Sequence, residues 1–331
     1  MSLISVILPF RNAEETLEAA VESILKQTMT EFELILINDH SSDSSKTIAQ
    51  SIPDERIILL DNKKTGLVEA LNLALNQARG NYIARMDADD YSHPKRFAVQ
   101  LEHLKALPEN FVSSCQVNYI SHFPKDSNTS GYQYYVNWLN ALTSAEDHYV
   151  NRFVDAPIAH PTLFCRKETF DKYGLYANNG YPEDFELWLR WMDQGVHFEK
   201  VSYPLYDWHD YPERISRNHP SYASAKFEAI KAKYFGRWFG KNSKELWVIG
   251  YGRDVFQRSA HLLKHNLRIK GYVDIKARSN SSRLVISYED VERSDDKLFL
   301  IYVRDRKGKK LIGEFLKKKN MEANRDYLFM A

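Results

Sequence analysis

The chain has 331 residues, which is longer than one typical domain, so its length predicts two domains. Hydrophobic residues make up 44% of the sequence and charged residues 27%, proportions that are typical of a globular protein with a full core. Its 45 Lys and Arg residues balance 44 Asp and Glu residues, so no global positive field exists to attract nucleic acid, and an anionic ligand must be held by local geometry.

Apolar and β-branched runs predict four strands in the first 90 residues, at positions 3–10, 32–39, 56–62 and 81–87. Helical patterns separate them. Asn12 is the predicted N-cap of the first helix, with Glu15 three residues later as in a capping box. Ser41 to Asp43 would cap the second helix, and Gly66 and Gly80 bound the third. This alternation predicts a parallel sheet with helices on its faces.

Charged and polar residues cluster where the predicted strands end. The clusters are Phe10 with Arg11, Asp39, Lys63 with Lys64, and Asp87 with Asp89. Ligands of open parallel sheets bind at the carboxyl ends of the strands, near a point where the strand order reverses. Four clusters along one edge therefore indicate a ligand-binding site.

The segment Arg85-Met86-Asp87-Ala88-Asp89-Asp90 places three carboxylates in four positions. Carboxylates this close repel one another and are costly to bury without a partner, so a bound cation is the simplest reason for the cluster. Hard oxygen ligands on a short loop suit Mg²⁺ or Mn²⁺, which bridge carboxylates and substrate phosphates. On these residues alone, an acidic turn at the surface is an equal alternative.

The middle of the chain gives a coarser pattern: a helix over residues 94–107, a strand over 112–121 and a helical stretch over 132–148. Within that last stretch, Tyr134, Tyr135 and Trp138 are candidates for an aromatic platform under a bound ligand. Helical core packing is the commoner alternative for such residues.

Glu183 and Asp184 open a helix that is apolar on most of its surface and is therefore predicted to be buried. Two acids at this end meet free backbone N–H groups and a favourable helix dipole, which keep a carboxylate ionised and ready to accept a proton. Acids at helix starts are also common structural caps, so both interpretations stay open at this point.

Several segments resemble, in order and in spacing, the family-2 glycosyltransferases of GT-A fold. They are VILPFRNAEETL, INDHSSD, the helix from Gly66 to Gly80, ARGNYIARMDADD with Pro94-Lys95-Arg96-Phe97 after it, and PEDFELWLRW. The resemblance covers residues 3 to 217. It implies an α/β fold with a mixed, mainly parallel sheet flanked by helices. It also implies a nucleotide-sugar donor, Mn²⁺ or Mg²⁺ on the Asp-x-Asp motif, and transfer with inversion at the anomeric carbon.

By position, the resemblance also implies roles for single residues. Asp87 would face the nucleotide and the metal, and Asp89 would be the clearest metal ligand. Asp184 would be the catalytic base, with Glu183 as the alternate. His209 would reach the metal and the diphosphate, with Arg214 and Arg217 behind it. Relatives often carry Arg after the Trp, so His209 following Trp208 departs from the pattern and leaves this assignment open.

The remaining implied residues concern the nucleotide and the acceptor. The nucleotide pocket would be lined by Pro9, Phe10, Arg11, Glu14, Asp39, Lys63, Gly66, Arg85, Asp87 and His209. Asp39 has a structural alternative as a turn residue that caps a helix. Residues 158–164 resemble the family's strand beside the acceptor site, where His160 has an alternative as a structural, hydrogen-bonding histidine. The ligand on the aromatic platform of Tyr134, Tyr135 and Trp138 would be the acceptor sugar.

A second strand–turn–helix–strand pattern begins near Glu245, after a linker at residues 240–243. Gly250 and Gly252 lie at its turn and Asp274 ends the next strand, as in a dinucleotide fingerprint, but Val255 occupies the place of the third glycine. This part resembles the small Rossmann-like module that some family-2 transferases append. We predict a transferase domain over residues 1–240 and a small Rossmann-like α/β domain over residues 241–331. The second domain could bind a nucleotide or a sugar, or it could serve as an interaction or oligomerisation module.

The predicted function is transfer of a sugar from a nucleoside-diphosphate sugar, most simply a UDP-sugar, to a carbohydrate or lipid-linked acceptor in the synthesis of a surface polysaccharide or glycoconjugate. A nucleotidyltransferase would need a phosphate loop rich in Gly, Arg and Lys after the first strand, and residues 9–12 are not one. A non-catalytic sugar-nucleotide-binding or scaffold protein would need a defective motif, and Asp39, Asp87, Asp89 and Asp184 are all present.

Location and further partners follow from simpler features. Cys115 and Cys165 are too few for a disulfide framework or a zinc site, which is typical of the reducing cytoplasm. No apolar run approaches the roughly 18 to 20 residues that span a bilayer, and no signal peptide precedes Ile4. We predict a cytoplasmic protein without a nucleic-acid partner. The basic run at residues 317–319 is compatible with peripheral contact with the inner face of the membrane. The sequence is also compatible with an oligomer.

Overall fold

A computed structural model of the chain describes residues 3–124, 130–212, 214–240 and 242–331. The strands in these ranges are β1 Ile4–Phe10, β2 Phe32–Asn38, β3 Ile57–Asp61, β4 Tyr82–Arg85, β5 Tyr91–Ser92, β6 Phe111–Ser121, β7 Phe164–Arg166, β8 His197–Asp210, β9 Glu245–Ile249, β10 Ile269–Asp274, β11 Val285–Ser287, β12 Lys297–Ile301 and β13 Tyr327–Phe329. The helices are α1 Leu17–Leu25, α2 Ser45–Ser51, α3 Leu67–Gln77, α4 Arg96–Ala106, α5 Ser130–Ala141, α6 Ala145–Asn151, α7 Lys167–Tyr173, α8 Glu183–Asp193, α9 Ile215–Asn218, α10 Ser224–Phe239, α11 Arg253–Ser259 and α12 Arg306–Lys318.

The first sheet has the strand order β3-β2-β1-β4-β7-β6-β8-β5. Its first four strands run parallel, β7 is antiparallel to both β4 and β6, and β6 pairs in parallel with β8. Strands β1 and β2 are buried along their whole length because they lie inside the sheet with both faces covered, which explains their continuous apolar runs. The sheet is therefore mixed and mainly parallel, as predicted.

The register brings the predicted polar clusters to one edge. Phe10 of β1 pairs with Asn38 of β2, and Asn38 pairs with Asp61 of β3. On the other side of β1, Ile7 pairs with Arg85, the last residue of β4. The segments that follow these four strands therefore begin along the same rim, where ligands of parallel sheets bind.

Three predicted elements differ in the structure. Helix α1 begins after Thr16 and not after Asn12, whose backbone has a φ of 49°. The stretch 132–148 is broken into α5 and α6. Residues 158–164 are not a strand: residues 160–162 form a 3-10 turn, and β7 begins at Phe164.

The second sheet is parallel throughout, with the order β11-β10-β9-β12-β13. This is the predicted Rossmann-like arrangement, although the sequence pattern missed the short strand β11. Gly250 and Gly252 follow β9 with φ values of 118° and 136°. A Cβ at Gly250 would lie 3.2 Å from Val255 Cγ2, so the valine in the place of the third glycine fills this turn.

The chain divides into two compact units. The first contains residues 1–149 and 156–219, and the second contains residues 150–155 and 220–331. The second unit thus includes α10, whereas the sequence placed the domain boundary at residue 240, after this helix. No described helix is both long enough and apolar enough to cross a bilayer.

Candidate active site

Asp39 lies just beyond β2 and is buried. Its carboxylate accepts hydrogen bonds from the Gly66 backbone N–H at 3.0 and 3.1 Å and from the Asn62 side-chain amide at 2.7 Å. Gly66 has a φ of 115°, a conformation that favours glycine, and it immediately precedes α3. In this structure Asp39 therefore fixes the turn into α3, and its contact with a nucleotide stays a prediction.

The other residues predicted for the nucleotide pocket fall into two groups. Pro9 and Phe10 are buried, and Phe10 packs in the core of the first unit. Arg11, Glu14 and Lys63 are exposed. The loop after β1 is held against the loop after β2, because the Asn12 and Glu14 side chains accept hydrogen bonds from the backbone N–H groups of Ser42 and Ser44 at 2.8 and 2.9 Å.

Asp87, Asp89 and Asp90 form an acidic cluster at the end of β4. Each carboxylate offers an oxygen, and these oxygens lie within 4.8 Å of one another. Burial, together with the charge of Asp87, raises the pKa of Asp89 to about 6. Burial and both neighbouring carboxylates raise the pKa of Asp90 as well. Oxygen donors this close, with negative charge that the protein compensates only partly, fit a divalent cation.

Two arginines lie beside the acidic cluster. Arg85 is buried and forms an ion pair with Asp87. Arg214 donates to the Tyr132 hydroxyl at 3.2 Å, and its guanidinium carbon lies 4.9 Å from the centroid of the Trp208 ring. Although burial opposes it, the pKa of Arg214 stays above its ordinary value because of Tyr132 and the three carboxylates. Both guanidinium groups are therefore charged and face the acids.

Arg85 has a side-chain N–H group that does not form a hydrogen bond within the described part of the chain. Its Nε atom is buried and has no hydrogen-bond acceptor among the described residues. An arginine is permanently charged, and a buried donor without a partner is costly, so an anionic group that reaches Nε would be bound favourably.

Asp90 is a site residue that the sequence assignment omitted, although it was visible as the third carboxylate. Its two oxygens accept hydrogen bonds from the Tyr206 hydroxyl at 2.9 Å and from the His209 backbone N–H at 2.8 Å. The Tyr206 oxygen in turn accepts from the Asp87 backbone N–H at 3.2 Å. Tyr206 and Asp90 thus hold the acidic loop against β8, a contact over 116 positions that no local sequence pattern signals.

His209 lies on β8 outside the cluster of three carboxylates. Its ring centroid is 5.0 Å from that of His122. Burial and the charge of His122 lower the pKa of His209, which favours the neutral imidazole. Its proposed contact with metal or diphosphate stays a prediction, as do the roles of the other residues assigned by resemblance.

The predicted base lies at the start of α8. Glu183 is buried, and its Oε1 lies 3.7 Å from Nδ1 of His160. Asp184 is half-buried and accepts a hydrogen bond from the Phe185 backbone N–H at 2.7 Å. The pKa of Tyr176 is raised by burial first and then by Cys165, Glu183 and Asp184, while Arg85 opposes the rise, so groups on β4, β7 and α8 act on one hydroxyl.

A buried arginine joins these two parts of the site. Arg96 Nη2 donates to the backbone oxygens of Arg85 and Pro161, both at 2.8 Å. Its Nε donates to Gln100 at 2.9 Å, and the Gln100 amide donates to the Thr162 carbonyl at 3.0 Å. The end of β4 and the 160–162 turn are therefore fixed to the same face of α4.

The aromatic residues of α5 divide between surface and core. Tyr135 and Trp138 pack against the core of the first unit, and Tyr135 donates through its hydroxyl to the Ala156 carbonyl at 2.9 Å. Tyr134 is 42% exposed. Core packing therefore accounts for two of the three candidates for an acceptor platform.

Comparison with known proteins gives a consistent result. Residues 5–174 match the family described as Glycosyl transferase family 2. An uncharacterised glycosyltransferase of Haemophilus influenzae is 31% identical over 193 residues, which cover 56% of this chain and 59% of the relative. The Escherichia coli UDP-Glc:α-D-GlcNAc-diphosphoundecaprenol β-1,3-glucosyltransferase WfaP is 28% identical over 201 residues, which cover 59% of this chain and 72% of the relative.

Among solved structures, that of S. aureus TarS 1–349 in complex with UDP-GlcNAc superposes with a TM-score of 0.54 at 17% identity. The superposition covers 72% of this chain and 73% of TarS. At this identity the likeness concerns the fold, and it confirms the predicted fold class.

Proposed function

This chain belongs to glycosyl transferase family 2, because the residues that match the family, 5–174, make up slightly more than half of its length, and we propose a function on that basis. The protein moves a sugar from a UDP-sugar to an acceptor hydroxyl. The acceptor we propose is a carbohydrate or lipid-linked sugar, in the synthesis of a surface polysaccharide or glycoconjugate. The name of WfaP, which pairs UDP-Glc with a lipid-linked acceptor, and the UDP-GlcNAc complex of TarS support this choice.

The observation that carries the proposal is the acidic cluster at the carboxyl rim of the parallel strands, flanked by Arg85 and Arg214. A nucleoside diphosphate leaves with additional negative charge, so its site needs fixed positive charge at the point where that charge develops. The unsatisfied Nε of Arg85 offers one such donor. Arg214 is oriented by Tyr132 and Trp208 and offers a second.

Asp87 and Asp89 would hold Mn²⁺ or Mg²⁺, with His209 as the further ligand suggested by the family resemblance. When bound, such an ion neutralises the diphosphate oxygens of the donor. Asp90 already accepts two hydrogen bonds from β8, so we assign it to holding the loop in place. Pro9, Phe10, Arg11, Glu14, Asp39, Lys63 and Gly66 would surround the base and ribose.

Asp184 would remove the proton from the acceptor hydroxyl as that oxygen attacks the anomeric carbon. The new bond joins the acceptor oxygen to this carbon, and the bond from the carbon to the phosphate oxygen breaks. The electron pair of that bond leaves with the nucleoside diphosphate. A single displacement of this kind inverts the anomeric configuration. A lipid-linked acceptor would place the reaction at the cytoplasmic face of a membrane.

The test measures UDP binding by titration calorimetry with and without Mn²⁺. Asp89→Asn is expected to abolish Mn²⁺-dependent UDP binding and sugar transfer while thermal stability stays close to wild type, because Asn keeps the size of the side chain and removes one charge from a cluster of like charges. The matched control is Asp193→Asn, at an exposed carboxylate at the end of α8. Full transfer by Asp89→Asn, or by protein treated with a chelator, would refute the metal site. Nucleotide binding without transfer to any acceptor would favour the sugar-nucleotide-binding or scaffold alternative.

A further inference from the structure

His160 lies in a buried chain of polar groups that leads to the start of α8. Its Nε2 atom is 2.7 Å from the Tyr176 hydroxyl, and its Nδ1 atom faces Glu183 at 3.7 Å. The ring also lies against Trp188 of α8, with centroids 5.8 Å apart. Tyr176, His160 and Glu183 are each more than nine-tenths buried, so water does not compete for these contacts.

The protonation state of this chain follows from its surroundings. Burial and the charge of Arg85 keep the pKa of His160 well below its ordinary value, so the imidazole is neutral. Burial raises the pKa of Tyr176 well above its ordinary value, so the phenol keeps its proton. The hydroxyl must then donate to Nε2. A neutral imidazole has one N–H, and it is therefore on Nδ1, directed at the Glu183 carboxylate.

Tyr176 and the turn that contains His160 are both held in place. The Asn72 side chain on α3 accepts from the Tyr176 backbone N–H at 3.1 Å and donates to the Tyr176 carbonyl at 2.9 Å. Arg96 donates to the Pro161 carbonyl at 2.8 Å and Gln100 donates to the Thr162 carbonyl at 3.0 Å, which fixes the two residues that follow His160 in the turn. The ring of His160 is thus presented to Glu183 from a rigid support.

We propose that His160 is a positioning residue, which directs its Nδ1–H to Glu183 and so fixes the first turn of α8 with Asp184 oriented toward the acceptor hydroxyl. This inference rests on the proposed function, because it takes Asp184 as the base of sugar transfer. Glu183 and Asp184 are adjacent helix residues, so a shift of one carboxylate displaces the other. Displacements near 1 Å at a reacting group cost on the order of 100-fold in rate.

Two substitutions separate the two contacts of His160. The amide of Gln reaches the position of Nε2, so His160→Gln keeps the contact with Tyr176 and loses the donor to Glu183. The shorter Asn reaches the position of Nδ1, so His160→Asn keeps the donor to Glu183 and loses the contact with Tyr176. We expect kcat to fall between roughly tenfold and 100-fold in His160→Gln and to stay within about threefold of wild type in His160→Asn.

This ranking, with a lower kcat for His160→Gln than for His160→Asn, is the reverse of the ranking that packing alone predicts. Asn leaves the larger cavity and should destabilise the protein more than Gln does. The readouts are kcat, the KM values for donor and acceptor, Mn²⁺-dependent UDP affinity, the pH profile of kcat and thermal stability. We expect UDP affinity to be unchanged in both variants, and the pH profile to change only in His160→Gln.

His148→Gln is the matched control, since His148 is also a buried histidine with one ring nitrogen bonded to a backbone carbonyl, that of Ser144 at 2.7 Å. It should lose stability and keep wild-type kcat. If His160→Gln behaves like this control, or if both His160 variants lose kcat in proportion to their loss of stability, the inference is overturned.

Tyr176→Phe provides a test that does not depend on the folding of the His160 variants. It keeps the ring and removes the hydroxyl that sets the tautomer, so we expect a several-fold lower kcat with unchanged UDP affinity. Unchanged kcat and an unchanged pH profile would count against the proposal. Asp184→Asn in the same assay distinguishes failure of the positioning role from failure of the proposed function. If Asp184→Asn is inactive while His160→Gln and Tyr176→Phe have normal activity, only the positioning role of His160 is refuted. If Asp184→Asn is active, the proposed mechanism of sugar transfer is refuted.

Discussion

Two adjacent carboxylates, Glu183 and Asp184, have different surroundings although both open α8. Glu183 is 6% exposed and faces His160, whereas Asp184 is half-buried and bonded to the next backbone N–H. Only a carboxylate that an acceptor can reach is able to take its proton. The difference in exposure therefore favours Asp184 as the base.

Asp184→Asn is expected to lower kcat by roughly 100-fold or more with little change in UDP affinity, the usual scale for a lost general base. Glu183→Gln is expected to have a smaller effect, since Glu183 is buried and we expect it to act on transfer through its contact with His160. Steady-state kinetics with saturating donor and a titration of UDP would distinguish the two. An inactive Glu183→Gln beside an active Asp184→Asn would mean that the roles are exchanged.

Lys200 shows how a buried charge links stability to pH. This residue of β8 is 3% exposed, and its ammonium group donates to the Leu139 carbonyl. Burial lowers its pKa to about 7 from an ordinary value of 10.5. Between these two values the unfolded chain holds a proton that the folded chain has released. The contribution of Lys200 to the free energy of unfolding therefore rises with pH from about 7 to about 10, and it is lowest when the folded protein must carry the charge.

Lys200→Met is expected to remove this rise, which amounts to at most about 1.4 kcal/mol per pH unit for one proton. Urea unfolding of wild type and variant at pH 6.5, 8 and 9.5 would measure it. The wild type should gain stability relative to the variant as the pH increases. A constant difference over this range would show that Lys200 keeps its proton in the folded state.

At the scale of elements, α12 has an unusual charge distribution. Residues 306–319 contain seven Lys or Arg residues and one acid, Glu314, in a chain whose formal net charge is only +1. Lys307, Lys310, Lys317 and Lys318 are exposed, and Leu311 is 65% exposed between them. A lipid-linked acceptor would bring the protein to an anionic membrane surface, to which each nearby cation adds roughly 1 kcal/mol of attraction.

We predict that the protein binds vesicles containing phosphatidylglycerol and not vesicles of phosphatidylcholine alone, and that salt weakens this binding. Reversal of Lys310, Lys317 and Lys318 to Glu should abolish it. The same change of net charge at Lys264, Arg268 and Lys276, which are exposed outside α12, should not. Co-sedimentation with each kind of vesicle, at low and high salt, measures the binding of the wild type and of both triple variants. Equal binding by both triple variants would show that α12 is only a solvated face.

The elements also show which patterns a sequence discloses. Strands β1 and β2 were predictable because both faces are buried and each residue must be apolar or bonded. The capping box at Asn12 was misleading, since the Asn12 side chain bonds to Ser42, which is 30 positions away. The break between α5 and α6 did have a local signal. Ser144 and Asp147 exchange the hydrogen bonds of a capping box, at 3.0 and 3.1 Å, and the Ser-x-x-Asp spacing could have revealed it.

At the scale of the whole molecule, the positions of the acidic motif and of the ED pair were visible in the sequence because each is contiguous, although the role of the ED pair stays a prediction. The residues that hold them were not. Tyr206 reaches Asp90 from β8, and Arg96 bonds both to Arg85 and to Pro161, which is 65 positions further along the chain than Arg96. Such partners are ordinary tyrosine and arginine residues until the fold brings them into contact.

The boundary between the two units is open to a direct test. All proposed site residues lie at or before Arg217, in the first unit. Helix α10 is held within the second unit, where Glu228 pairs with Arg258 at 2.8 Å and Phe235 packs against Phe153 with centroids 5.9 Å apart. We propose that the functional boundary precedes α10, in place of the boundary at residue 240 that the sequence suggested.

A protein truncated after His219 is therefore expected to be more soluble than one truncated after Gly240, because the longer form retains α10 without its partners beyond residue 240, such as Arg258, and exposes buried aromatic surface. The soluble one should keep Mn²⁺-dependent UDP binding. Solubility on expression and UDP titration are the measurements. A soluble 1–240 protein beside an aggregated 1–219 protein would place α10 with the first unit.

The short segment 150–155 has a consequence for how the chain is made. It belongs to the second unit but is synthesised within the first, and Arg152 donates to Asn324 at 2.8 Å across 172 positions. At roughly 5 to 20 residues per second, a ribosome needs on the order of 10 to 30 s to supply this partner. During this time the residues on both sides of the segment can fold as the first unit, while the segment itself still lacks Asn324. Limited proteolysis of stalled nascent chains should find it cleavable until the last strand has emerged, and early protection would show that it finds another partner first.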